Sequence, residues 1–124
     1  MITEVGLYEK YKDFFWERDS EKIECDSGWF KVIDLMCSKL KLLDSKKKPR
    51  LESIKQRYGS MIIKFKKTGD DAFDIMMSRI AFAFSQEAAV VCEVCGESGS
   101  MSQSESKAKK ILCDTHMRQM NYSR

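Results

Sequence analysis

Near the end of this 124-residue chain, Cys92 and Cys95 are separated by two residues, and after 17 intervening residues Cys113 and His116 repeat the spacing. This C-x2-C…C-x2-H pattern constrains the fold more than any other feature, because it requires two separate segments to meet at one point. A tetrahedral ion wants four soft or borderline donors, and two intervening residues let a tight turn aim both members of a pair at it. Gly96 follows the second cysteine directly. A residue there takes positive φ so that backbone N–H groups face the thiolates, and glycine adopts that conformation without steric cost. Cys92, Cys95, Cys113 and His116 are therefore expected to bind zinc in a closed, structural site. A cysteine knuckle, a loop or hairpin, and a ligand pair opening a helix make a treble-clef-like zinc finger over residues 92–124. Within it, residues 98–110 are serine-rich and low in complexity, which predicts a flexible loop.

The chain has five cysteines. An odd count with these spacings favours bound metal in a reducing compartment over a disulfide framework. Cys37 falls on the apolar face of a helical pattern and is expected in the core. The neighbours of Cys25 assign it no role.

A chain of 14.4 kDa has room for one domain, residues 1–124. Apolar residues recur at helical spacing over residues 3–18, from Val5 and Leu7 to Phe14 and Phe15, and over 29–44, through Trp29, Ile33, Met36, Cys37 and Leu40. Asp26 or Ser27 can cap the second helix. Pro49 opens a short predicted helix over 50–58. Residues 60–67 alternate as a strand that turns at Thr68, Gly69 and Asp70, with a pairing partner either in the zinc-site hairpin or in another subunit. A long helix over 71–91 then delivers the chain to Cys92. The expected fold class is α+β: a mostly helical body, residues 1–91, with a short strand near 60–67, followed by the zinc module. No run approaches the roughly 18 apolar residues that span a bilayer, and the N-terminus lacks a leader pattern, so the expectation is a cytoplasmic protein with no membrane contact.

Net charge is only +3, yet Lys46, Lys47, Lys48, Arg50, Lys55, Arg57, Lys64, Lys66 and Lys67 cluster in the middle of the chain. With Tyr58 and Phe65 interleaved, this region suits phosphates of a nucleic acid or an acidic protein partner. Apolar residues around much of the long helix, including Met76, Met77, Phe82 and Phe84, predict burial on more than one side and leave room for a homodimer. Catalytic equipment is missing from the pattern. There is no Gly-rich phosphate loop and no nucleophile with a free base. An HNH-like nuclease needs a histidine beside a catalytic metal, and the single histidine here is needed by zinc.

The order of motifs resembles a group of small, mostly uncharacterised proteins encoded by phages and by bacteria carrying phage-derived genes. The resemblance covers roughly residues 25–116. It rests on DSGWFKVID at 26–34, KQRYGSMIIKF at 55–65, CEVCG at 92–96 and LCDTH at 112–116. It implies a phage-type accessory or inhibitor protein that binds a host protein complex in the host cytoplasm; the residues themselves leave nucleic-acid binding through 46–67 and HNH-like nuclease activity as the alternatives.

Overall fold

The computed structural model describes residues 2–12, 23–43 and 50–124. Its centre is α2 (Phe30–Lys41), entered through a single 3-10 turn, Ser27–Trp29. Phe30, Ile33, Cys37 and Leu40 recur at helical spacing, and with Val32 and Met36 they are all buried. Asp26 stands at the cap position, but its side chain makes no capping hydrogen bond. The N–H of Trp29 instead bonds to the backbone oxygen of Asp26.

Helix α1 (Glu4–Lys10) is capped by Thr3, whose hydroxyl accepts from the N–H of Gly6. It ends at Lys10 instead of continuing to residue 18, and the remainder of the expected helix, with Phe14 and Phe15, lies outside the described residues. Tyr11 fixes the helix to α2. Its ring is buried, and its hydroxyl donates to both the carboxylate (2.8 Å) and the backbone oxygen (3.0 Å) of Asp34.

The strand expected near 60–67 is β3 (Ser60–Phe65), and its partner is neither the zinc-site hairpin nor another subunit. It pairs antiparallel with β2 (Leu51–Arg57), the segment read from sequence as a short helix. Pro49 suits the start of a helix, and the spacing inside the segment does not contradict one. A bulge between Leu51 and Ser53 shifts the register by one residue, so Leu51 and Ile54 face the core together although two residues separate them along the chain. A three-residue interval normally marks a helix, and a bulge reproduces it in a strand. The two-residue strand β1 (Ile23–Glu24) adds parallel to β2, completing a sheet in the order β1-β2-β3.

Thr68, Gly69 and Asp70 make the expected turn, with Gly69 at φ +88°. Asp70 then caps α3 (Asp71–Ala88) by accepting from the N–H of Phe73. Met77, Ala81 and Ala88 are buried, and Ser85 donates to the backbone oxygen of Met61, joining α3 to the inner face of the sheet. Beyond α3 the serine-rich segment is ordered as a hairpin, β4 (Ser100–Gln103) and β5 (Lys109–Leu112), followed by α4 (Asp114–Gln119). Low complexity concealed it. Every second residue of β4 is serine, yet Ser102 is buried, and the strand is paired along its whole length. The architecture is α+β, with helices and short sheets and a treble-clef-like order of knuckle, hairpin and helix at the C-terminal end. Among the described residues no helix is long and apolar enough to cross a membrane.

Candidate metal centre

Three local structures deliver the four donors. After α3 the chain makes a knuckle in which the N–H of Gly96 donates to the backbone oxygen of Cys92 at 2.9 Å, with Gly96 at φ +83°. The left-handed geometry expected of that glycine is therefore present. Cys113 directly follows β5 and occupies the cap position of α4, where its Sγ accepts from the N–H of His116. His116 lies in the first turn of α4, so its ring swings back over Cys113.

The ligand atoms of Cys92, Cys95, Cys113 and His116 all lie within 4.8 Å of one another. Cys95 Sγ is 3.8 Å from Cys113 Sγ, Cys92 Sγ is 3.7 Å from His116 Nδ1, and Cys113 Sγ is 3.1 Å from the same nitrogen. A tetrahedral ion with bonds of roughly 2.3 Å to sulfur spaces two sulfurs by about 3.8 Å. The donor set therefore fits a single four-coordinate ion, with the histidine ligating through Nδ1.

Electrostatics point the same way. Burial opposes the Cys92 thiolate, but backbone N–H groups of Cys113, Cys95 and Val94 outweigh it and bring the thiol down to about 7. Cys95 behaves oppositely. The N–H of Glu97 favours its thiolate, yet burial and the adjoining Cys92 and Cys113 sulfurs push it up to about 11. Sulfurs this close cannot all ionise without a cation among them, and a bound divalent ion removes that conflict. The two other thiols are of a different kind. Burial pushes Cys25 and Cys37 up to about 12, which favours the thiol over the thiolate, and Cys37 sits in the core as its helical position predicts.

What anchors the knuckle to the body is almost silent in the residue pattern. Glu93, between the first two ligands, is only 1% exposed. Its carboxylate accepts from Gln56 Nε2 (3.1 Å), Lys110 Nζ (3.1 Å) and the N–H of Ile111 (3.1 Å). Its backbone oxygen accepts from the N–H of Gly28 at 2.9 Å. A Cβ at Gly28 would stand 2.3 Å from the backbone oxygen of Cys92, so only glycine allows this approach. Trp29, fully buried, donates from Nε1 to the backbone oxygen of Val91 at 2.8 Å. The 3-10 turn and β2 thus form a cradle for the knuckle. The one sequence signal available was a glycine directly before a core tryptophan.

The basic residues expected to act together are dispersed. Lys46, Lys47 and Lys48 lie outside the described residues, and Arg50 precedes β2 with its backbone oxygen accepting from the N–H of Lys66. Lys66 and Lys67 follow β3, whereas Lys55, Arg57 and Lys64 share the outer face of the β2–β3 ribbon. Compared with protein-family models, curated proteins and solved structures, the chain matches none of them.

Proposed function

We propose that this chain is a zinc-ordered binding protein of the phage accessory type, which docks on a host protein and performs no chemistry of its own. Zinc suits the centre because three thiolates and one imidazole in a closed tetrahedron are its habitual structural ligand set. With all four positions filled by protein there is none for a reactive water, and a nuclease would need a second histidine.

The observation that carries the docking assignment is the outward face of α3. Ile75, Met76 and Phe82, continued by Val90 just past the helix, are 46 to 67% exposed, and their spacing sets them on one side of the helix around Arg79 and Gln86. Met77, Ala81 and Ala88 occupy the opposite side and enter the core. Exposed apolar residues gathered on one helix side suit an interaction surface, and an aromatic among them suits an anchor.

The test is affinity capture from bacterial lysate treated with nuclease, with Phe82→Asp as the paired control. A protein captured by the parent chain and lost with Phe82→Asp is the expected result. Capture that vanishes with nuclease, or that ignores Phe82, would reject the docking assignment. Sedimentation of the purified protein covers self-association: a dimer broken by Phe82→Asp would make a second copy of this chain the occupant of the stripe.

A further inference from the structure

The outer face of the three-stranded sheet is chemically unlike the α3 stripe. Cross-strand pairing places Arg57 opposite Ser60, Lys55 opposite Ile62 and Lys64 opposite Ser53 on one face, while Ile54, Met61 and Ile63 point inward. Lys55 is held by Glu24 at 3.3 Å. Arg57 and Lys64 are exposed and make no ion pair among the described residues.

The turn at the end of this ribbon carries the second observation. Tyr58 and Gly59 form a two-residue connection with φ of +54° and +78°. Asparagine, aspartate or glycine is favoured at the first of these positions, and a bulky side chain there is strained. Tyr58 gains no burial in return, since it is 81% exposed. The turn is held from beneath by the second hairpin, with Met101 and Lys109 packed against Gly59. That contact places the exposed Lys109 beside the same tip. Strained and exposed aromatic residues belong to sites where the ring meets something else.

We propose that this face binds single-stranded nucleic acid, with a base stacked on Tyr58 and phosphates taken by Arg57 and Lys64. An aromatic platform beside an open row of cations is how proteins hold unpaired strands without reading sequence. Charge complementarity selects a polyanion, and the free ring face selects unstacked bases over a duplex.

The test uses full-length, zinc-loaded protein and fluorescently labelled oligothymidine and oligouridine of about 12 nucleotides, a span that one compact module covers. Polarisation should report binding at low salt that weakens as salt rises, by about 0.7 log unit per tenfold salt for each phosphate neutralised. Arg57→Glu with Lys64→Glu should abolish it. Tyr58→Asn keeps the turn and relieves its strain, so it should unfold later than the parent chain while losing about tenfold or more in affinity. Tyr58→Phe should bind as the parent does. Phe82→Asp should leave this binding unchanged, which separates the outcome from that of the protein-docking test. No binding of either oligonucleotide at low salt would overturn the proposal, as would a duplex bound as tightly as single strands, or full affinity in Tyr58→Asn.

Discussion

The two hairpins of this molecule are similar in form and are held by different forces. The β2–β3 ribbon contributes Leu51, Ile54 and Met61 to the core, so burial of apolar side chains holds it. The β4–β5 ribbon buries Ile111 and Leu112, but its other strand is serine, methionine and glutamine, and its far end carries Cys113. One end meets the four candidate ligands, and the Glu93 carboxylate holds it beside them. A hairpin of poor strand formers is ordered when its ends are fixed, because the entropy of the loop is then already spent. Anchoring explains the second hairpin as composition explains the first.

Removing the clamp should break the contrast most sharply. In Cys113→Ser, or in parent protein treated with a strong chelator, amide protection of residues 98–120 should be lost, because metal binding supplies on the order of 10 kcal/mol to ordering such modules. Protection of β2, β3 and α2 should persist. Equal loss in both regions, read by hydrogen exchange, would show that the two ribbons form one cooperative unit.

A smaller effect is expected at the junction. Glu93→Ala leaves the N–H of Ile111 without its acceptor, takes one acceptor from Gln56, which keeps the backbone oxygen of Lys109, and removes the nearer carboxylate beside Lys110, which keeps Asp26 at 3.8 Å. The cost should be about 3 kcal/mol, the lower end for breaking a buried pair, since the Lys110 side chain keeps 28% of its exposure and can reach water. Metal affinity measured by chelator competition should fall with it. Unchanged affinity in a folded Glu93→Ala protein would show that the cradle does not position the knuckle.

The mildest variant addresses the body alone. Ile54→Val removes one buried methylene from the first ribbon and should lower global stability by about 1 kcal/mol in denaturant titration. Its metal affinity should match the parent, and a shift there would again join the two regions.

Much of this was legible in the residues. The ligand set, Gly96, the turn at Gly69 and the apolar faces of α2 and α3 follow from spacing that local geometry enforces. The misreadings have physical causes. Pro49 suits a helix start, and the bulge at Leu51 and Ser53 leaves no strict alternation in β2 to oppose that reading before its partner is known. The order of the β4–β5 ribbon comes from contacts at its ends, which composition does not encode. Glu93 was invisible for a related reason. A glutamate in a knuckle looks like surface, and its burial depends on Gln56, 37 positions away, and on Lys110, 17 away.

The cradle around the knuckle also sets an order of events. Gly28, Trp29 and Gln56 precede Cys92 in the chain, so during synthesis the groups that shape the first pair of thiols emerge before those thiols do. Half of the coordination sphere can then be preformed on a finished body while Cys113 and His116 are still being made. A captured ion would wait on two sulfurs for the final segment to close over it, and the last step of assembly would be ligand exchange at the metal instead of a search through chain conformations.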